Sequence, residues 1–216
     1  VLFADHERLD RLAHIAGKVD VTTIAVRPRQ TDCGYVLLKD LIERCAATAM
    51  PAMAPEPEDV ATLMYTSGST GHPKGVASGH VNILAALLCW ELDGAAGARA
   101  AGIQPSTTRP AHQPATLLAV PLFHATGSHA VFLSSFRAQR KIVSMYKWDP
   151  ALAAELIERE KISNVTAPAA MTGDLVQEAR RTERDLSTLM SVGGGGAPRA
   201  PEQVKNIRAS FQKAMP

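Results

Sequence analysis

Short apolar runs alternate with helix-like segments along this chain, and that alternation constrains its fold more than any other feature. The runs ATLMY (61–65), TLLAV (116–120) and TLMSV (188–192) are almost continuously apolar, as strands buried on both faces of a parallel sheet are. Strands separated by helices imply parallel pairing through crossover connections. The sequence therefore predicts an α/β fold, with a mainly parallel sheet flanked by helices.

Several helices carry clear start and stop signals. Asp5 caps a predicted helix over 6–16, which Gly17 ends. Asp149 caps another, with Pro150 in its first position and Leu152, Leu156 and Ile157 on its apolar face. A third, over 81–92, is apolar almost all round and is expected to be buried, with Trp90 and Cys89 in the core. Residues 94–114 read as a long loop. Further strands are predicted over 1–4, 21–26, 60–65, 116–121, 141–145, 164–167 and 189–192, and further helices over 168–180 and 201–211, the last with Val204, Ile207 and Phe211 inward.

The domain organisation follows from composition. Residues 46–59 are rich in Ala and Pro and are interpreted as a linker or surface loop. It separates a βαβ segment over 1–45 from a larger segment over 60–216. A run of charged residues over 180–185 is typical of a solvated helix end. Two other residues, His129 and Trp148, are expected to have structural roles.

Charge and cysteine content exclude some classes of protein. Lys and Arg number 23 against 21 Asp and Glu, which gives no electrostatic case for a nucleic-acid partner. No apolar run reaches the ~20 residues that a bilayer-spanning helix needs, so no integral membrane segment is expected. The three cysteines form no CxxC pair, which favours a reduced, cytoplasmic setting over a disulfide framework.

The stretch 65–76, YTSGSTGHPKGV, has the composition of a phosphate-binding loop. Glycines let the backbone approach a ligand, consecutive N–H groups form an anion nest, and hydroxyls add donors. Lys74 adds a cation between Pro73 and Gly75, a position that differs from the Walker A loop. A lone Gly/Ser loop is more often a flexible surface turn, but the ordered string favours a polyphosphate site.

This string resembles the phosphate-loop signature of the adenylate-forming (AMP-binding) superfamily, which includes acyl-CoA synthetases, peptide-synthetase adenylation domains and firefly-type luciferases. His80 and Asn82 resemble its continuation, although Gly79 replaces the common Ser. The resemblance implies ATP as substrate with Mg²⁺, and it implies a metal-assisting role for the Thr66 hydroxyl. The β- and γ-phosphates would be held by Thr66, Ser67, Gly68, Ser69, Thr70, Gly71 and Lys74.

Two further motifs resemble the same family. The segment 120–127, VPLFHATG, is similar to a strand end whose His borders the acyl group, which implies that role for His124. The plain alternative is that His124 caps the following helix. The segment 191–198, SVGGGGAP, is similar to the part that lies along the adenylate, and its alternative is a flexible loop. The adenylate contacts would come from Gly194, Gly195, Gly196, Ala197 and Pro198.

The resemblance implies ATP-dependent activation of a carboxylic acid, expected to be a fatty acid, to acyl-adenylate and then acyl-CoA, with Lys74 and His124 as catalytic residues. The chain resembles a fragment of the large N-terminal domain without the small C-terminal domain, and is expected to bind nucleotide weakly and not to complete the reaction. Two alternatives stay open: an amino-acid adenylation domain of a peptide synthetase, and a non-catalytic nucleotide-binding domain of the same fold.

Overall fold

The structure, a computed structural model, describes residues 1–15, 18, 20–67, 71–103, 110–195 and 200–211. The chain divides into two compact units, Val1–Ala54 and Pro55–Pro216. The division falls inside the segment that is rich in Ala and Pro.

The first unit is a small parallel sheet with two helices. Its strands, in the spatial order β1-β2-β3, are all parallel, and Ala4, Leu9 and Ala25 form its core. The first helix is capped by Asp5, whose carboxylate accepts from Arg8 N at 3.1 Å. The elements are β1 Leu2–Ala4, α1 His6–Leu12, β2 Thr23–Ala25, β3 Val36–Leu37 and α2 Leu38–Cys45.

Helix α1 is shorter than the sequence predicts. It ends at Leu12, and Ala13 and His14 beyond it are exposed. Another helical turn would therefore gain no stability from buried side chains. The predicted stop signal at Gly17 lies outside the described residues.

The second unit is built around a four-stranded parallel sheet in the order β7-β6-β8-β9. Strand β6 is buried along its whole length, which confirms the expected α/β fold with a parallel sheet. The core on one face includes Leu117, Ile157, Val165, Leu175 and Val192. The sheet and its helices are β6 Ala115–Leu118, β7 Lys141–Ser144, α5 Pro150–Glu160, β8 Asn164–Ala167, α6 Ala169–Arg181, β9 Ser191–Gly194 and α7 Pro201–Ser210.

Helix α5 matches its sequence signals closely. Asp149 Oδ1 accepts from Leu152 N at 3.0 Å, and Glu155 pairs with Arg159 at 2.9 Å. Leu156 and Ile157 are buried as expected, but Leu152 is exposed and Ala153 and Ala154 take its place in the core. In α7 and just beyond it, Ile207 and Phe211 are buried, whereas Val204 is only partly so.

The predicted charged helix end is held by ion pairs. Arg184 lies 3.0 Å from Glu158. The pKa of Glu158 is lowered, first by the backbone N–H of Asp185 and then by the hydrogen bond from Arg184. Trp148 donates to Asp174 at 3.0 Å and packs against the main core.

The expectation of a buried parallel strand at ATLMY is wrong. Strand β4 (Val60–Thr66) pairs antiparallel with β5 (Lys74–Gly79), a strand that the sequence did not predict. Only seven residues separate the two strands, whereas a parallel crossover needs about a dozen or more. Leu63 and Tyr65 are 57% and 70% exposed.

The helix after this hairpin is longer and more exposed than expected. Helix α3 spans His80–Ala100 and includes the first part of the predicted loop, since its alanines favour helix. Leu87 is the buried residue of this helix. Trp90 is 45% exposed and Cys89 is also exposed, so their predicted places in the core are wrong. Apolar character all round the helix does not specify what covers it; here it packs on β5 and on the π-helix described next.

In length and composition α3 could also cross a bilayer. Core helices of soluble proteins share this length and composition but are mostly buried, whereas most of α3 is exposed. The helix also carries Glu91 and Asp93, and charges are costly in a bilayer.

A π-helix spans Thr126–Leu133 and continues as α4 (Ser134–Arg137). The sequence predicted no bounds for a helix here, although the alternative role of His124 as a cap assumes a helix after it. At the start of the π-helix, Gly127 packs so closely on the segment after β6 that a Cβ would lie 2.1 Å from the carbonyl oxygen of Pro121. Long π-helical stretches are rare and often mark functional sites.

Candidate functional site

The ends of the β4–β5 hairpin bring two predicted phosphate ligands together. Thr66 and Lys74 are paired directly in the antiparallel register, so their side chains leave the same face of the hairpin. The Thr66 hydroxyl lies 3.5 Å from the carbonyl oxygen of Lys74. Gly71, in the connecting turn, has φ +84°, a conformation that glycine adopts without strain. The predicted ligands Gly68, Ser69 and Thr70 lie outside the described residues.

A pocket of about 610 Å³, here called the loop pocket, joins the hairpin to the segment after β6. Thr66 and Ser67 line it from the hairpin, and Phe123 and His124 line it from the other side. Lys74 is exposed and is not part of this lining. The structure thus places a predicted phosphate ligand and the predicted acyl-site histidine in one pocket, although 58 positions separate Thr66 from His124 in the sequence.

His124 is held by its backbone and by its neighbours. Its carbonyl oxygen accepts from both the backbone N–H and the hydroxyl of Ser128, each at 2.9 Å. Its ring lies 4.6 Å from that of Phe123, tilted by 52°. Ala125 already has helical backbone angles, so the backbone of His124 lies where a helix cap lies. Among the described residues, the His124 side chain makes no hydrogen bond to the start of the helix.

The loop pocket contains a second histidine. His129 is only 8% exposed, its Nδ1 lies 2.8 Å from Ser128 Oγ, and it lines the pocket with His124. The sequence marked His129 as structural, because the pattern gave no sign of a π-helix that would turn it toward the pocket. A buried imidazole held by a hydroxyl beside a ligand-sized pocket is a candidate contact to ligand.

The glycine-rich segment lines a second cavity of about 670 Å³, here called the sheet cavity. Gly193, Gly194 and Gly195 form part of its wall. A Cβ on Gly195 would lie 2.5 Å from Thr126 Cγ2, so a larger residue here would force the Thr126 side chain to shift. The other predicted adenylate contacts, Gly196, Ala197 and Pro198, lie outside the described residues.

The two cavities are neighbours. Trp90 and Ala125 line both of them. Strands β6 and β9 are parallel members of one sheet, so the segments that carry His124 and Gly195 leave it at the same edge. The carboxyl edge of a parallel sheet is where α/β proteins bind ligands.

The described residues offer little for a metal. Within that part of the chain, no group of three or more His, Cys, Asp or Glu side chains could hold an ion. The Thr66 hydroxyl can supply a single oxygen. That donor is compatible with Mg²⁺, which usually keeps several water ligands and takes others from substrate phosphates.

Fold and site together define an α/β protein with a glycine-rich hairpin loop and two adjoining ligand-sized cavities. The AMP-binding enzyme family matches residues 1–215, and the chain belongs to that family.

Curated relatives include CoA ligases. The chain is 33% identical over 169 residues to 4-coumarate–CoA ligase-like 5 of Oryza sativa subsp. japonica, covering 76% of this chain and 30% of the relative. It is 28% identical over 197 residues to 4-coumarate–CoA ligase CCL1 of Humulus lupulus, covering 91% and 33%. The chain thus spans about a third of the length of these relatives.

Solved structures share the fold. ATP-bound MatB from Rhodopseudomonas palustris aligns with a TM-score of 0.73 at 21% identity, covering 97% of this chain and 38% of that one. The N-terminal domain of FACL13 from Mycobacterium tuberculosis aligns with a TM-score of 0.67 at 24% identity, covering 98% and 54%. A red-emitting luciferase from Phrixothrix hirtus gives a TM-score of 0.73 at 22% identity, covering 97% and 39%.

Proposed function

We propose that the whole protein activates a carboxylic acid with ATP and transfers the acyl group to CoA. A carboxylate oxygen attacks the α-phosphorus of ATP, the bond to the β-phosphate breaks, and pyrophosphate leaves with its electron pair. The CoA sulfur then attacks the acyl carbon, AMP leaves, and the thiol proton passes to solvent. The loop pocket, which gathers Thr66, Ser67 and His124 beside the glycine-lined sheet cavity, is the observation that carries this proposal.

The hairpin loop would hold the phosphates. Lys74 would neutralise the charge of the leaving pyrophosphate, and the hydroxyls of Thr66 and Ser67 would donate to phosphate oxygens. Thr66 would also offer its oxygen to a Mg²⁺ that ATP brings. Gly68, Ser69, Thr70 and Gly71 remain predicted ligands in the same loop.

The other two segments would hold the acyl-adenylate. His124 would border the reacting carboxylate, since it lines the same pocket as the hairpin hydroxyls. The glycines that end β9 would let the flat nucleotide lie against the main chain, with Gly196, Ala197 and Pro198 continuing that surface. The protein's contribution is then mostly positioning and charge neutralisation.

Other parts of the proposal rest on composition. The cysteines Cys33, Cys45 and Cys89 are all free, which agrees with a cytoplasmic setting, and we place α3 against protein rather than in a bilayer. A fatty acid as substrate has less support, because the relatives are named for 4-coumarate and the wall of the sheet cavity that the strands form is polar. The two alternatives differ in the acid that ATP turnover requires. An amino-acid adenylation domain requires an amino acid, and a non-catalytic nucleotide-binding domain turns over no ATP with any acid.

Titration calorimetry with ATP and Mg²⁺ on the full-length product of the gene tests the phosphate site. Lys74→Ala should weaken ATP binding by about 10- to 100-fold, because a hydrogen bond to a charged group contributes roughly 1.5–3 kcal/mol. Lys205→Ala is the matched control, since Lys205 is an exposed lysine of α7 whose carboxylate partner Glu202 is 3.8 Å away. Equal ATP affinities for the two variants would contradict the assignment of the loop.

A further inference from the structure

One face of the parallel sheet is polar. Side chains alternate along each strand, so while Leu117, Val165 and Val192 point into the core, their strand neighbours line the sheet cavity. The side chains on this wall are Thr116, Asn164, Thr166 and Ser191.

Several of these groups have hydrogen-bonding capacity to spare. Asn164 Nδ2 donates to Ser163 Oγ at 2.7 Å, and its side-chain oxygen, Oδ1, makes no hydrogen bond to a described residue. Within the same part of the chain, the hydroxyls of Thr166 and Ser191 also make none. The cavity wall is therefore able to satisfy a polar ligand.

A charged group lies at the far end of this cavity. Arg140, which lines the cavity, directly precedes β7, and the register pairs Lys141 with Ala115 and Asn164 with Ser191. Arg140 thus sits at the amino edge of the sheet. Gly195 lies at the carboxyl edge, four residues along from Ser191, or about 13 Å at the usual rise of a strand.

The charges around Arg140 do not balance. Glu91, the other charged residue among the described cavity walls, is already held by Arg137, whose Nε and Nη2 donate to its carboxylate at 2.6 and 3.2 Å. The single negative charge of Glu91 therefore stands against the positive charges of both Arg137 and Arg140. Arg140 is half-buried, and its guanidinium makes no hydrogen bond to a described residue.

Burial disfavours the charged form of the Arg140 side chain, as expected for a cation. Desolvation lowers the pKa of the Arg140 guanidinium, and the charge of Glu91 only partly opposes this effect. A half-buried cation without a hydrogen-bonded partner favours an anion beside it, because the anion restores the interactions that water would give.

We propose that the sheet cavity binds a carboxylic acid whose far end carries a second anionic group, with Arg140 as the residue that recognises it. This inference rests on the proposed function and names the substrate class for that site. The carboxylate to be activated lies at the carboxyl edge of the sheet, near Gly195 and His124. The second anionic group lies at the amino edge, against Arg140, Asn164 and Ser191.

An acid with an apolar tail meets only part of this cavity. Its tail would contact Leu87 and Trp90, which also line the cavity, but it would cover Arg140, Thr166 and Ser191 without satisfying them. Sites built to hydrogen-bond a group reject analogues that lack it. A straight-chain dicarboxylic acid of medium length spans the cavity and meets a partner at each end.

The test compares suberic acid with its monomethyl ester in acid-dependent pyrophosphate exchange by the full-length gene product. We expect kcat/KM to be about 10- to 100-fold higher for the diacid. Arg140→Gln should abolish this preference and leave the KM for ATP unchanged, whereas Arg140→Lys should retain part of it. The matched control is Arg208→Gln, at an exposed arginine of α7, which should behave as wild type.

The outcomes separate this inference from the proposed function. If acids support exchange but the diacid has no advantage, or if Arg140→Gln keeps the advantage, the inference about Arg140 is overturned and acid activation stands. Preference for a neutral hydroxylated acid, such as 4-coumaric acid, over the diacid would also overturn it. If no acid supports exchange, the proposed function fails with it.

Discussion

Gly127 provides the sharpest structural test of how the site is assembled. It is the second residue of the π-helix, and a Cβ there would lie 2.1 Å from the carbonyl oxygen of Pro121 and 2.9 Å from that of Val120. Both are backbone atoms, which cannot rotate away as the end of a side chain can. Because ordinary contact begins near 3.4 Å, Gly127→Ala must displace the helix start by about 1.3 Å from Pro121.

The expected cost follows from that displacement. Overpacking a well-packed region costs typically 1–3 kcal/mol and occasionally more, and a clash with backbone places this variant at about 3 kcal/mol. For a unit of about 150–250 residues, such as Pro55–Pro216, each kcal/mol lowers Tm by about 2–4 °C, so the Tm of this unit should fall by about 6–12 °C. ATP binding should weaken as well, since Phe123, His124 and His129 flank this contact and line the loop pocket.

Thermal unfolding followed by far-UV circular dichroism measures this effect, with Gly173→Ala as the matched control. Gly173 lies inside α6 with open space where a Cβ would stand, so its replacement should stabilise the helix by about 0.5–1 kcal/mol. A Gly127→Ala protein whose Tm lies within about 2 °C of wild type would refute the argument that this contact fixes the π-helix.

The remaining predictions concern the cavity wall and an ion pair. Gly195→Ala should raise the KM for the acid about tenfold through its clash with Thr126, and adding Thr126→Ala should restore much of the loss; no rescue in steady-state kinetics of the full-length gene product would argue against the contact. The pKa of Glu160 is lowered, chiefly by the hydrogen bond from Lys141. Its contribution to stability is therefore present above its ordinary value of 4.5 and is lost as pH falls through the lowered pKa. Glu160→Gln should thus flatten the loss of stability in urea unfolding as pH falls below about 4.5, and an unchanged slope would contradict the pairing.

Elements with strong local signals could be predicted from the sequence. Helix α5 follows from Asp149, Pro150 and the Glu155–Arg159 pair, all of which act within one or two turns. Strand β8 follows from its β-branched residues between turn signals. The parallel sheet follows because long connections between apolar strands leave no simpler pairing.

Elements that depend on distant partners could not. The sequence pattern of α3 shows that the helix is apolar all round, but it does not show which residues cover it. Trp90 and Cys89 were therefore wrongly expected in the core. Strand β4 reads as a buried strand, and only the short connection to Lys74 decides that it forms a hairpin.

The site divides in the same way. The motifs around Thr66 and His124 mark local chemistry, but their meeting in one pocket depends on the tertiary fold. The position of His129 in the loop pocket depends on a π-helix, which has no strong sequence signal. Arg140 has no motif, and its position follows from the register of β7 in the sheet.

Acid-dependent exchange of labelled pyrophosphate into ATP tests the central claim most directly, because it reports formation of an acyl-adenylate without requiring CoA. The full-length gene product should catalyse exchange only when a carboxylic acid is present, and Lys74→Ala should reduce the rate while Lys205→Ala does not. Exchange that is absent with every carboxylic acid tested, or that proceeds equally without one, would contradict the proposal that this site activates acids as adenylates.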